Sequence, residues 1–452
     1  MKKLIFIVFL LNNFLIYSQC WNEMYLGGRH TYGVKTDGTI WVTGQNIDGQ
    51  LGIGTNVSQN EFSLFSNTSV WSTFSLGLNF TIGLKTDGTI WSWGGNGSGQ
   101  LGDGSETSKN SPVQIGTAND WITIKAGAAF VLALKANGTL WAWGSNISAQ
   151  LGDGTTISKN IPVQIGYFTD WLKLGAGNSH SFAIKSNGTL WAWGENAGKL
   201  GDGTIINRSS PVAIGTDTNW REVYGGVNSS IGIKSNGTIW SWGNNTFGEL
   251  GLGNATPTYV PNQIGISNDW QSLSYSGHHV LATRNDGSLW AWGNNNAYRL
   301  GDGTTINRNY PIQIGFSQNW NSIYSSNFNG GCSIALKIDN SMFVWGWAQW
   351  GALGNGGGLL VQIPTALGTC TLANEDFTKT QITIYPNPTK STLNITTTTP
   401  IQKTIIYNLL GAKVYEQAFN DSVDVSSLSS GVYIVKFYGE DNVVFVEKIV
   451  KE

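Results

Sequence analysis

The fold of this 452-residue chain is decided by one stretch, Lys85-Thr86-Asp87-Gly88-Thr89-Ile90-Trp91-Ser92-Trp93-Gly94. An Asp-Gly pair between two alternating stretches is a strong hairpin signal, because both turn residues tolerate positive φ angles. Trp91 and Trp93 lie two residues apart on the predicted second strand, so their side chains point to the same face. Rings of this size on one face have to be buried against another part of the chain.

The stretch recurs at nearly constant spacing. Its first Trp falls at Trp41, Trp91, Trp141, Trp191, Trp240 and Trp290, and Phe343 takes the same place in a seventh copy. Another Trp opens each copy, at Trp21, Trp71, Trp121, Trp171, Trp220, Trp270 and Trp320. Each copy has four predicted strands and an aromatic face that only a neighbouring copy can bury. The period therefore predicts an all-β chain with a seven-bladed β-propeller over residues 20–370.

The first and last copies depart from the pattern. Thr43 replaces the second Trp in the first copy, and Asp339-Asn340-Ser341 replaces the Asp-Gly or Asn-Gly turn in the seventh, so no hairpin turn is predicted there. Residues 364–368 match the Pro-Val-Gln-Ile-Gly segment that precedes the opening Trp of later copies. We expect this segment to complete the first copy and to close the ring.

The repeated motif Gly-x-Leu/Ile-Trp-x-Trp-Gly, followed by Gln-Leu-Gly-Asp-Gly-Thr, resembles the repeats of the regulator of chromosome condensation family. The resemblance implies a seven-bladed propeller. It also implies protein binding through one rim, as in an exported bacterial relative that inhibits β-lactamase. Guanine-nucleotide exchange, the activity of the family's eukaryotic founder, fits less well, because both ends of the chain carry export signals.

The first export signal is residues 1–19. Lys2 and Lys3 precede an apolar run that is too short to span a bilayer, which is typical of a secretory signal peptide. We expect cleavage near Gln19, whereas lipidation of Cys20 is disfavoured because a small residue should precede the cysteine. No other segment is long and apolar enough to predict a transmembrane span.

The second export signal follows a polar linker at residues 371–381. Residues 382–452 alternate apolar and polar side chains in six or seven short strands, which predicts a small Ig-like β-sandwich. Tyr385-Pro386-Asn387-Pro388 near its start and Lys448-Ile449-Val450-Lys451 at its end resemble the C-terminal sorting domain of the Bacteroidetes type IX secretion system. The resemblance implies contact with that machinery, removal of the domain, and a secreted or cell-surface protein.

Composition excludes several other classes of protein. A net charge of -2 argues against a nucleic-acid partner, and three Cys exclude a disulfide scaffold. In the repeat register Cys20 and Cys370 become near neighbours, so we expect a disulfide between them, with two free thiols as the alternative. The four His residues include the adjacent pair His278 and His279, which would face opposite sides of a strand. We predict no enzyme activity, no cofactor and no metal site.

Two repeated charged positions have a structural and a functional interpretation. The Asp residues of the Gly-Asp-Gly loops fit turn geometry better than calcium binding, because each loop offers a single carboxylate. Basic residues three places before the Pro fit either a repeated structural contact or a ring of anion-binding sites. These positions are Asp103, Asp153, Asp202 and Asp302, and Lys109, Lys159, Arg208 and Arg308.

One group of aromatic residues breaks the repeat. Where the second and third copies have Ser98 and Ser148, the last three copies carry Phe247, Tyr298, Trp347 and Trp350. Because aromatic side chains are enriched in interfaces, we hypothesise that these four form the binding surface for a protein partner. A surface glycan is the alternative ligand, and packing on neighbouring loops is the alternative explanation.

Overall fold

The computed structural model describes residues 20–68, 70–326, 331–347, 349–357, 360–368, 382–397, 401–408, 412–439 and 444–452. Two compact units contain them, one within residues 18–370 and the other within residues 371–452. The predicted signal peptide, 1–19, and the predicted linker, 371–381, lie outside the described residues. No helix in the described ranges has the length and apolar character needed to cross a membrane.

The first unit is a propeller of seven antiparallel four-stranded sheets, or blades, in which neighbouring strands follow chain order. The first three blades are β1 (Trp21–Leu26), β2 (His30–Lys35), β3 (Ile40–Gly44) and β4 (Gln59–Ser66); β5 (Trp71–Leu76), β6 (Phe80–Lys85), β7 (Ile90–Gly94) and β8 (Lys109–Gln114); and β9 (Trp121–Ala126), β10 (Phe130–Lys135), β11 (Leu140–Gly144) and β12 (Lys159–Gln164).

The remaining four blades repeat this order. They are β13 (Trp171–Ala176), β14 (His180–Lys185), β15 (Leu190–Gly194) and β16 (Arg208–Ala213); β17 (Trp220–Gly225), β18 (Ser229–Lys234), β19 (Ile239–Gly243) and β20 (Thr258–Gln263); β21 (Trp270–Tyr275), β22 (His279–Arg284), β23 (Leu289–Gly293) and β24 (Arg308–Gln313); and β25 (Trp320–Ser325), β26 (Gly331–Lys337), β27 (Met342–Trp347) and β28 (Leu360–Ala366). Two 3₁₀ turns, Asn296–Tyr298 and Gln349–Gly351, lie between third and fourth strands. The predicted fold class is confirmed.

Aromatic packing joins each blade to the one before it. Trp91 and Trp93 both belong to a cluster that includes Tyr32 and Leu51 of the first blade, so the prediction that the two rings share a face is confirmed. Trp93 is fully buried, and its indole N–H donates to the Tyr32 hydroxyl at 2.8 Å. The opposite face of β7 carries Ile90, which packs in the cluster shared with the third blade.

A cation lies against the aromatic rings in every blade. The Lys85 Nζ is 3.6 Å from the Trp91 ring centroid and 5.0 Å from that of Trp71, so it links the third strand to the first. Cation–π contacts of this kind stabilise by about 0.5–2 kcal/mol. The same place is filled by Lys35, Lys135, Lys185, Lys234, Arg284 and Lys337. The Lys that opens the repeat motif is therefore a packing residue.

The ring closes with the same backbone contact that joins consecutive blades. In blades three to seven the N–H of the opening Trp donates to a turn Gly of the preceding blade, as Trp121 does to the Gly88 carbonyl at 3.2 Å. At the seam, Trp21 donates to the Asn340 carbonyl at 3.0 Å. Asn340 has a φ of 64° and its N–H bonds to the Lys337 carbonyl. The prediction that the seventh copy lacks the turn is wrong, because Asn also tolerates the left-handed conformation.

The role expected for residues 364–368 also needs correction. β28 pairs with β27, so this segment completes the seventh blade and not the first. Leu367 does reach the first blade, where it packs against the cluster that contains Trp21. Thr43, which replaces a Trp, donates its hydroxyl to the Gly351 carbonyl at 2.9 Å across the same seam.

The second unit is a two-sheet β-sandwich. One sheet has the order β29-β30-β33 and the other β32-β31-β34-β35. Its strands are β29 (Ile382–Tyr385), β30 (Thr392–Thr397), β31 (Ile401–Asn408), β32 (Lys413–Ala418), β33 (Ser422–Asp424), β34 (Gly431–Gly439) and β35 (Val444–Lys451). Leu393, Ile406, Val423 and Val435 form part of the buried core between the sheets. Asn387 of the Tyr-Pro-Asn-Pro motif bonds to the backbone at Lys448 and Val450.

Asn340→Ala should weaken the seam, because an Ala side chain at a positive φ costs about 1 kcal/mol. Asn340→Gly, which copies the turns of the other blades, should retain or slightly raise stability. Thermal unfolding of the two variants beside the wild type measures the difference. Equal melting temperatures for Ala and Gly would show that the turn adopts another conformation.

The Cys20–Cys370 pairing stays a prediction, because Cys370 lies outside the described residues. Cys20 is buried and disulfide-bonded, whereas Cys332 is a buried free thiol. Alkylation of the denatured, unreduced protein should therefore label Cys332 alone, and mass spectrometry should find one linked peptide pair. Labelling of Cys20 or Cys370 would contradict the bond, and reduction before alkylation provides the control.

Candidate binding surface

The four aromatic residues singled out by the sequence lie at one end of the propeller. Because blade strands alternate in direction, the loops between third and fourth strands share an end with the loops between first and second strands. Phe247 lies in the third-to-fourth loop of the fifth blade and Tyr298 in that of the sixth. In the seventh blade, Trp347 ends β27 and Trp350 lies in the 3₁₀ turn that follows. Together, Phe247, Tyr298, Trp347 and Trp350 are called the aromatic rim.

The two halves of the aromatic rim differ in exposure. Phe247 and Tyr298 are half-buried, and the Phe247 ring meets the His278 ring edge-on at 5.5 Å. Packing on a neighbouring loop, one of the two interpretations open from the sequence, therefore describes Phe247. All 21 tryptophans lie in the described ranges, and Trp347 and Trp350 are the two exposed ones, at 40% and 43%.

Two rim aromatics adopt a backbone conformation that disfavours them. Tyr298 has a φ of 60° and Trp350 a φ of 67°. Tyr298 occupies the loop position that Gly248 fills in the preceding blade. A large side chain in the left-handed region costs about 1–3 kcal/mol, and such residues cluster at functional sites. The loops therefore present aromatic groups at positions where small residues would be easier to accommodate.

The residue before Leu-Gly has a buried polar side chain in the first six blades, whereas Ala352 takes this place in the seventh. In the second and third blades this residue is Gln, and the Gln100 side-chain oxygen accepts from the Ser98 N–H at 2.8 Å. Glu249 takes the same place in the fifth blade, is 3% exposed, and accepts from the Phe247 N–H at 2.8 Å. Burial raises the pKa of Glu249 to about 7, although two backbone hydrogen bonds oppose the shift.

The repeated charged positions are structural contacts. Asp103 accepts from the Ser105 N–H at 2.9 Å and pairs with Lys109 at 3.6 Å. The same carboxylate-to-cation pairs recur as Lys159–Asp153, Arg208–Asp202 and Arg308–Asp302, at 3.4, 2.7 and 2.6 Å. The structural interpretation is confirmed, because these cations already have carboxylate partners.

Three of the four histidines are buried between blades. His30 bonds to Thr81 at 2.9 Å, His180 to Ser230 at 3.0 Å, and His279 to Ser333 at 2.9 Å. Burial lowers the pKa of His30 to about 3, and it lowers the pKa values of His180 and His279 well below their ordinary range. Within the described ranges, no group of three or more His, Cys, Asp or Glu side chains could hold a metal ion.

The opposite end of the propeller carries apolar residues that sequence reasoning missed. Tyr167, Ile266 and Phe316 are 96%, 96% and 99% exposed, and each follows the Gly that ends a Pro-Val-Gln-Ile-Gly segment or its variant. Thr117 and Thr216 fill the same turn in other blades. The sequence did contain a signal for their exposure, namely an apolar residue in a turn where other blades have Thr. Each of the three lies on a connection between two blades, and the connections of Ile266 and Phe316 are consecutive.

Two kinds of family model match the chain, on ranges that follow the two units. The regulator of chromosome condensation (RCC1) repeat matches residues 87–134, 137–184, 236–283 and 286–327, and a second model of that repeat matches 71–100, 121–150 and 220–249. The secretion system C-terminal sorting domain matches residues 383–452. The chain is an RCC1-like repeat propeller with a C-terminal sorting domain.

Solved structures agree with the propeller fold. Prp20p from Saccharomyces cerevisiae is 19% identical with a TM-score of 0.66, and the match covers 81% of this chain and 92% of that one. Human WBSCR16 is 19% identical with a TM-score of 0.61, covering 69% and 85%. At such identities the likeness shows the fold alone. No curated protein matches the sequence.

The sorting domain supports a secreted or cell-surface location for the RCC1-like propeller. The fold agrees with this match, since the described residues between 382 and 452 form the sandwich expected from the sequence. Contact with secretion machinery follows from the same match. The cleavage site near Gln19 lies outside the described residues and stays a prediction.

Glu249→Gln should stabilise the propeller at pH 8 and have little effect near pH 4.5. The folded-state pKa of about 7 lies above the ordinary value of 4.5, so ionisation of Glu249 costs stability increasingly from pH 4.5 to 7. Removing this cost gives roughly 3 kcal/mol at most. Gln retains the acceptor for the Phe247 N–H, as Gln100 shows. Unfolding measured at both pH values checks this, and an equal effect at each would contradict the buried ionisation.

Proposed function

We propose that this chain is an exported, non-catalytic binding scaffold that recognises a protein partner through the aromatic rim. The exposure of Trp347 and Trp350 carries the proposal, because the other tryptophans are buried or half-buried. Aromatic anchors supply much of the binding energy in protein interfaces. The positive φ angles of Tyr298 and Trp350 support the same surface, since the chain adopts a costly conformation there.

Two of the similar solved structures concern protein complexes. One describes the binding properties of Prp20p to Gsp1p and histones, and another shows Kap60 bound to yeast RCC1. Fold likeness is a weak warrant for function, so these complexes support protein binding only as a general use of the fold. Export directs this chain to a different partner.

A surface glycan is the second candidate ligand for the same rim. The exposed faces of Trp347 and Trp350 favour it, because flat aromatic rings stack on sugar rings as well as on protein side chains. The two candidates predict the same residues but different ligands, so one set of variants tests both.

Changing Phe247, Tyr298 and Trp350 to Ala should abolish binding to the partner while the blades remain folded. The wild-type protein and this variant would be immobilised and exposed to cell-surface protein extracts and to a glycan panel. A bound protein that the variant fails to retain would support the protein-binding scaffold, and a bound glycan lost in the variant would support adhesion.

The matched control changes the opposite end of the propeller. Tyr167→Thr, Ile266→Thr and Phe316→Thr remove three exposed apolar side chains and insert the residue found at the equivalent turns, Thr117 and Thr216. This variant should bind as the wild type does. Loss of binding in the control, with retention in the rim variant, would move the binding site to the other end.

A further inference from the structure

The central channel of the propeller contains a cavity that its repeat pattern does not explain. Side chains of the seven innermost strands line a volume of about 380 Å³, within the usual range for small-molecule sites. At one inward position the blades carry, in order, Tyr25, Ser75, Lys125, Gly175, Tyr224, Ser274 and Tyr324. Long side chains thus alternate with small ones, and the small ones leave the space open.

The three tyrosine hydroxyls already have protein partners. Tyr224 donates to Glu222 at 2.5 Å, Tyr25 bonds to Thr73 and Glu23, and Tyr324 bonds to Ser322. Each partner lies two residues before the channel position of its own blade and therefore on the same inward face of its strand. All three hydroxyls thus point toward the same mouth of the channel. The aromatic rings are left as the walls of the cavity.

Lys125 is the polar group of the cavity without a close partner. Among the described residues its ammonium makes no hydrogen bond or ion pair, and it lies 5.7 Å from the centroid of the Tyr224 ring. Glu222 lies near enough to favour the charged form, but it already accepts from Tyr224 and lies 3.6 Å from Arg221. Burial nevertheless lowers the pKa of Lys125. An ammonium desolvated in this way gains from a counter-ion.

We propose that the channel binds a small organic carboxylate, whose anionic group pairs with Lys125 and whose body lies among the rings of Tyr25, Tyr224 and Tyr324. A single negative charge fits best, because Glu23 and Glu222 at the tyrosine-hydroxyl layer outnumber the one cation at the equivalent position, Lys173, and repel a more highly charged anion. A flat body matches the ring-lined walls. The site is separate from the aromatic rim, so either proposal can fail without the other.

Calorimetric titration of the purified protein tests the site with defined probes. Benzoate represents an aromatic acid, glucuronate a sugar acid, and benzamide the neutral isostere of benzoate. At least one of the two acids should bind, and benzamide should bind at least about tenfold more weakly than benzoate if benzoate is the ligand, since a charge-assisted contact is lost. Binding of glucuronate but not of benzoate would identify a sugar acid as the class of ligand.

Lys125→Met should reduce the affinity for the acid at least about tenfold, because Met fills a similar volume without the charge. The control is Lys390→Met, which removes an exposed lysine of the second unit and should leave binding unchanged. Circular dichroism and thermal unfolding confirm that both variants fold. Absence of binding by both acids, equal binding of benzoate and benzamide, or equal affinity of Lys125→Met and the wild type would overturn the proposal.

Discussion

The structure depends on one hydrogen-bonded side chain, the second Trp of blades two to seven, which is buried against the preceding blade. In blades three to seven its indole N–H donates to the carbonyl of the residue that precedes Leu-Gly, as Trp143 does to Gln100 at 3.1 Å and Trp292 to Glu249 at 3.1 Å. The bond holds the third-to-fourth loop of one blade against the third strand of the next blade. It therefore fixes both the position of that loop and the angle between the two blades. A repeat can therefore change its rim side chains without losing its place in the ring.

That constraint explains why variation is concentrated where it is. The residue whose carbonyl accepts the indole is Gln in two early blades, Glu249 in the fifth and Arg299 in the sixth, because the backbone and not the side chain makes the bond. The aromatic rim residues lie just before this residue in the chain. At the seam Thr43 replaces the indole, and Phe62 fills the space by packing 4.5 Å from Trp21.

The repeat made the blades predictable, since the opening Trp returned seven times, each Trp of the motif returned six times, and each copy had a similar surface to bury. The wrong predictions concern the seam between the seventh and first blades, where the sequence departs from the repeat and one residue type is compatible with more than one local structure. Asn340 looked like a missing turn because Gly is the common residue there, although Asn reaches the same φ. The exposure of Tyr167 and Phe316, and the burial of Glu249, depend on which side of a loop faces the next blade. A linear pattern does not contain that relation.

Function in such a ring arises where the copies stop being equivalent. Seven identical inner strands would line the channel with one repeated side chain, whereas the blades alternate Tyr or Lys with Ser or Gly. Seven identical outer loops would give a symmetric rim, whereas the exposed tryptophans are confined to one blade. Because the indole bonds hold the scaffold, both departures are tolerated without an alternative fold. The two places where the repeat is broken most strongly are therefore the places to look for ligands.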